Sequence, residues 1–387
     1  MTLIIHTILM IKKSLFAYTT IFFISHRIIA MFSDNMFLRV LALIMMVIVM
    51  LSIIAFVLWK WAVFLRINYN FKTIIMISLW VLGAMIASMM ISSSSFPFAD
   101  YIGTIISYIM YTLWFLAPLL IVLSVVGLWY KFPPALFIIS CLTWLGVGLY
   151  LWTQTKTTDL VMTDTWLDKE YKIIFISDLH VDNIRSTRYI TSIVKKLEQQ
   201  QPDMVLIGGD LLNRAKNEYA KAFLSFNTLS MPIYAVLWNH DHMWDSQAAQ
   251  AIFDTTKIIP LVNESVLLSG LQIVGIEDKN SRHGKTLDNL LIQSNINTGA
   301  DYTIFLTHQP QKLNKLKDYP INLQLAGHTH RWQFVPLSWI VWWFNDYAYG
   351  RYDKDDKTAF VSQGLGLWWA PLRMGTQSEM VIITLKP

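Results

Sequence analysis

The sequence predicts an α/β sandwich with mixed sheets over residues 156–387, preceded by an N-terminal bundle of four or five transmembrane helices over residues 1–155. Three observations carry this. Only ten of the 57 charged residues precede Lys156, so the first part reads as membrane-embedded and the second as water-exposed. The second part alternates short apolar, β-branched runs with stretches of helical periodicity, the pattern of strands joined by crossover helices. Five of those apolar runs stop at loops rich in Asp, Asn and His, where an open α/β sheet presents side chains to a ligand.

In the first part, residues 40–59, 73–92, 101–130 and 132–155 carry no charge. Each is long enough for a bilayer, which takes about 20 residues. A further window, 14–32, contains His26 and Arg27 and leaves four or five spans open. The loop 59–72 holds Lys60, Arg66 and Lys72, loop 92–104 holds neither Lys nor Arg, and the connection 130–134 holds Lys131. Lys and Arg accumulate on the cytoplasmic side. The first and third loops are therefore expected inside, and the second part of the chain outside.

The one cysteine, Cys141, falls in the last window, which excludes disulfides and thiol catalysis. A net charge of +5 without a dense basic run speaks against nucleic acid as a partner. No repeat at solenoid spacing occurs.

In the second part, strands are expected at 172–176, 204–207 and 233–237. Amphipathic helices are expected at 188–200, where Ile190, Ile193, Val194 and Leu197 recur at helical spacing, and at 219–229. Runs 265–268 and 271–276, joined at Ser269 and Gly270, predict a hairpin. Strands at 302–306, 322–325, 360–363 and 380–385 complete the set.

The loops that follow these runs hold Asp178 and His180; Gly209, Asp210, Asn213 and Arg214; Asn239, His240 and Asp241; His308; and Gly327, His328 and His330. Carboxylate, amide and imidazole donors together suit divalent ions of intermediate hardness, namely manganese, iron or zinc. In type and order these blocks resemble the calcineurin-like metallophosphoesterases, over about residues 173–385. The stretch 364–375 is similar to that of a membrane-anchored branch of the family.

The resemblance implies two divalent metal ions. Asp178, His180, Asp210 and His330 would hold the first; Asp210, Asn239, His308 and His328 the second, with Asp210 shared. It implies hydrolysis of a phosphoric ester or anhydride by a hydroxide bridging the metals, with His240 as general acid at the leaving oxygen. Arg214 is expected to clamp a phosphate oxygen; a surface salt bridge is the alternative. Asn213 stands where relatives place an aspartate that steadies the catalytic histidine. The expected partners are the membrane and a phosphorylated small-molecule or lipid-linked substrate. If the domain is cytoplasmic, the resemblance implies a UDP-sugar glycolipid pyrophosphatase instead. A non-catalytic metal-binding membrane sensor and, more remotely, a transporter are the rivals from other classes. For His6 and His283 an ordinary structural place is expected, and for 277–284 a solvated turn.

Three departures from the family pattern share one feature. Trp238, Trp332 and Trp369 stand where relatives carry glycine, and the chain has 16 Trp and 16 Gly. At about 7% average usage some 27 glycines would be expected. Either these tryptophans line a substrate cleft, or some are glycines read through a code in which UGA specifies glycine.

Overall fold

The computed structural model describes residues 134–163, 167–182, 185–213, 217–237, 246–276, 285–333, 346–367 and 372–387. The windows at 14–32, 40–59, 73–92 and 101–130 lie outside the described residues. In the last window a helix, α1, spans Pro134–Thr153 and opens on a proline, whose missing N–H costs nothing in a first turn. Among the described residues, no helix is long and apolar enough to cross a membrane.

A compact unit runs from Val147 to Pro387, so the last turns of α1 belong to it. Its elements in chain order are β1 (Thr155–Thr163), β2 (Tyr171–Ile176), α2 (Thr187–Gln200), β3 (Met204–Ile207), α3 (Asn217–Ala220, passing into a 3₁₀ helix Lys221–Thr228), β4 (Ile233–Ala235), α4 (Ser246–Thr255), β5 (Ile258–Pro260), β6 (Glu264–Leu268), β7 (Leu271–Gly275), α5 (Leu287–Gln293), β8 (Tyr302–Leu306), β9 (Leu323–Ala326), β10 (Gly350–Lys354), β11 (Lys357–Val361) and β12 (Ser378–Lys386).

These strands form two six-stranded mixed sheets, ordered β1-β12-β2-β3-β4-β5 and β10-β11-β9-β8-β7-β6. In the first, β2 to β5 are parallel and β12 runs antiparallel to β2. In the second, β7, β8, β9 and β11 are parallel. One apolar cluster lies between the sheets and draws Ile173, Phe175 and Leu206 from one and Ile273, Ile304 and Leu325 from the other. Each buried side chain of this size contributes about 1.5–3 kcal/mol. Two further clusters seat helices on the outer faces: α2, the 3₁₀ segment and α4 on the first sheet, α5 on the second.

Helix α2 buries Ile190, Ile193, Val194 and Leu197, the stripe its spacing predicts, and ends on Gln201 in a left-handed conformation. The 219–229 helix departs from expectation, because most of it winds as 3₁₀. Phe223 and Phe226 are three apart, so a 3₁₀ turn eclipses them over the core, and their rings stack at 6.0 Å. The hairpin turns at Ser269 and Gly270, both at positive φ, as a two-residue type I′ loop demands.

The parallel strands bring the expected loops together. Asp178 lies just past β2, Asp210 past β3, His308 past β8, and His328 past β9. Both sheets therefore present their C-terminal strand ends to one place.

Candidate metal centre

Asp178, His180, Asp210 and His330 are all buried, and one donor atom from each lies within 4.8 Å of every other. Donors about 2.0–2.2 Å from an ion can lie at most about 4.4 Å apart across it. A contraction of tenths of an ångström would close these four around one cation. His180 Nε2 and His330 Nε2 face each other at 2.9 Å, and His330 Nε2 lies 3.2 Å from Asp178 Oδ1.

The second half of the cluster joins through Asp210. Its Oδ2 lies 3.4 Å from His180 Nε2 and 3.4 Å from His308 Nε2, which is where a shared carboxylate would sit. His328 Nδ1 stands 3.2 Å from His308 Nε2, with the two rings edge to face. His308 Nδ1 donates to the Gly208 carbonyl at 2.7 Å, because a carbonyl can only accept. That bond fixes the ring and leaves Nε2 as the nitrogen for a ligand, a common arrangement behind metal-bound imidazoles. The donors present therefore suit divalent metal ions.

The backbone is bent to achieve this. Asp178, His180, Asp210, His328 and His330 all have φ between 45° and 72°. Asp and His tolerate that region better than most residues, and such strain collects at functional sites. Hydrogen bonds between loops hold it: Asp178 N–H to Gly209 O at 3.0 Å, His180 N–H to Asp210 O at 3.0 Å, and Gly327 N–H to His308 O at 3.0 Å.

Electrostatics follow from burial and mixed charge. Burial alone would raise the Asp178 carboxyl, but His330, His308 and His180 hold it well below the usual carboxylate range. Burial would lower His308, but the carboxylates of Asp210 and Asp178 push it up to about 9. Burial and the neighbouring His308 charge push His328 down to about 3, and burial lowers His330 as well. Below pH 9 the metal-free site thus carries a proton on His308 that a cation must displace. Metal binding at pH 7.5 is expected to release about one proton from this ring. Calorimetric titrations in buffers of different ionisation enthalpy measure it, and the release fades as pH rises through about 9.

Asn239, His240 and Arg214, with Asp241, His242, Trp238, Trp369 and the 277–284 stretch, lie outside the described residues. Asn213 donates from Nδ2 to Asp182 Oδ2 at 3.1 Å. Asp182 also accepts from the Arg185 N–H at 2.8 Å and pairs with the Arg185 guanidinium, both side chains being buried. Sequence reasoning assigned neither residue a role, because their pairing shows only in the fold.

Trp332 bears on the glycine question. It has φ 51° within a run of four left-handed residues from His330 to Gln333. A bulky L residue there costs about 1–2 kcal/mol that glycine does not. Trp332→Gly is expected to raise stability by about 1 kcal/mol in denaturant unfolding. Peptide mass spectra of the natively expressed protein will read glycine at 332 if the codon is recoded, and tryptophan if it is not.

Residues 171–332 match the family model described as calcineurin-like phosphoesterase. An uncharacterized metallophosphoesterase of Helicobacter pylori is 33% identical over 229 residues, which cover 57% of this chain and 61% of that protein. One of Campylobacter jejuni is 31% identical over 242 residues, covering 60% and 63%. A Bos taurus relative, called a transmembrane protein with metallophosphoesterase domain, is 27% identical over 239 residues, covering 56% and 53%. The chain spans about three fifths of the length of the two bacterial relatives.

Proposed function

We propose that this chain, whose residues 171–332 match the calcineurin-like phosphoesterase family model, uses a two-metal centre to hydrolyse a phosphoric ester or anhydride held beside a membrane. Metal-dependent phosphoesterase activity, the two-metal mechanism, the substrate and the setting are all our reading, supported by the match of residues 171–332 to that family. The observation that carries it is the convergence of two carboxylates and four imidazoles on one buried point, with Asp210 facing both halves.

Asp178, His180, Asp210 and His330 would hold one ion, and Asp210, Asn239, His308 and His328 the other. When bound, such a pair supplies Lewis-acid charge to phosphoryl oxygens and acidifies water. The protein's own share is to fix the ligands and handle protons. His308 keeps its Nδ1 proton on Gly208 O, so its Nε2 cannot swing away. His240 gives a proton to the leaving oxygen, a role suited to imidazole near neutral pH. Arg214 orients the phosphoryl group. The uncharged windows before residue 155 tether the site, which favours lipid-linked or cell-envelope phosphates facing outward.

The full chain in detergent, given bis(p-nitrophenyl) phosphate and Mn²⁺, is expected to release p-nitrophenol and to stop on chelation. His240→Ala is expected to keep the metals and lose about 10²–10⁴-fold in rate. Bound metal without turnover in the native chain would overturn catalysis and favour the sensor.

A further inference from the structure

The stretch 372–376 touches the loop 363–366, which packs on Asp178, and Gln333, three residues past His330. Arg373 is fully buried, and its Nη2 donates to the carbonyls of Gln363 at 2.9 Å, Gly364 at 2.8 Å and Gly366 at 2.6 Å. The loop so gathered lies against Asp178. Leu365 N–H donates to Ser177 O at 2.9 Å and Gly366 N–H to Asp178 O at 2.8 Å. A Cβ on Gly364 would fall within 2.9 Å of the Asp178 Cβ, and one on Gly366 would collide with the Asp178 and Leu179 carbonyls.

The start of the loop is also held by an anion. The buried Glu379 carboxylate accepts from Gln363 N–H at 3.0 Å and Ser362 Oγ at 3.1 Å. A cation thus holds the carbonyls, and an anion holds one amide and one hydroxyl. The backbone of the same stretch braces the other ligand loop: Met374 N–H and Thr376 Oγ donate to Gln333 O at 2.9 Å and 2.8 Å, three residues past His330.

Among the described residues no carboxylate pairs with the Arg373 guanidinium. Burial pushes it down to about 10, which still leaves it cationic at neutral pH. An unpaired buried cation is a costly way to fill space, and an apolar side chain would fill it better. What only a guanidinium or ammonium can do here is draw several carbonyls to one point.

We infer that Arg373 is a positioning residue for the metal centre: by gathering the carbonyls of Gln363, Gly364 and Gly366 it fixes the loop that sets Asp178. The inference rests on the metal-binding reading above. Its loss should therefore act on metal affinity beyond any effect on folding. Outer partners of metal ligands typically contribute about 10–100-fold in affinity.

The test titrates the full native chain, Arg373→Met and Arg373→Lys with Mn²⁺ by calorimetry, and records the rise in melting temperature that Mn²⁺ produces. Arg373→Met is expected to weaken Mn²⁺ about 10–100-fold and shrink that rise. Arg373→Lys, which keeps the charge and three donors, is expected to recover most of both. If both variants bind Mn²⁺ as the native chain does and only the metal-free melting temperature falls, Arg373 is packing and the inference fails. Should Arg373→Met not fold, unchanged Mn²⁺ affinity in Gly366→Ala, whose Cβ would press on the Asp178 carbonyl, overturns it. If the native chain binds no Mn²⁺, the proposed function itself falls.

Discussion

Asp210→Ala is expected to abolish both metal binding and phosphodiester hydrolysis, the largest loss of any single change in this chain. The carboxylate is buried, and one oxygen sits 3.4 Å from His180 Nε2 and 3.4 Å from His308 Nε2. Removing it withdraws a ligand from both halves of the site. It also takes away the leading charge that holds a proton on His308. Changes in outer partners of metal ligands cost about 10–100-fold, so a shared ligand should cost roughly a thousandfold or more in kcat/KM. Asp210→Asn keeps shape and an acceptor but loses the charge, and should fall nearly as far. Steady-state kinetics on bis(p-nitrophenyl) phosphate with calorimetric Mn²⁺ titration would show it. Metal affinity within a few-fold of native would remove Asp210 from the centre.

Gly327→Ala is expected to be almost as damaging, although glycine has no donor to offer. A Cβ at 327 would overlap Asp178 Oδ2 and come within 2.5 Å of Ser177 Oγ, both on fully buried side chains. The next residue ties the same carboxylate down, since His328 N–H donates to Asp178 Oδ1 at 3.1 Å. The methyl group must push Asp178 out of place or pull β9 off its register. The first outcome ruins the metal site, and the second adds about 1–3 kcal/mol of overpacking cost. Mn²⁺ affinity should drop at least about tenfold, and the denaturation midpoint should fall with it. A variant with native affinity and midpoint would show that the loops are looser than this packing requires.

What was legible in the sequence follows burial. Strands β2, β3, β8 and β9 are buried on both faces, so each writes a mostly apolar run, broken only by Lys172, Thr303 and Gln324. Edge strands write no such run. β10 is mostly exposed, and β1 buries only Leu160, so neither reads as a strand. Helix α4 escaped notice because it buries Ala248, Ala249 and Ile252, and alanines give little periodic contrast.

The candidate ligands that the structure describes were legible because each sits within a few residues of a strand end, and short spacing survives in sequence. Arg373, Glu379 and the Asp182–Arg185 pair were not, because their contacts depend on how distant loops stack. The 364–375 stretch stood out only by resemblance; its place behind Asp178 supplies a physical reason for it.

The most direct measurement titrates Mn²⁺ into the metal-stripped full chain while hydrolysis of bis(p-nitrophenyl) phosphate is followed. The account predicts two ions per chain, turnover that appears only when both are bound, and loss of one ion in His328→Ala. A stoichiometry of zero, or hydrolysis that survives exhaustive chelation, contradicts it.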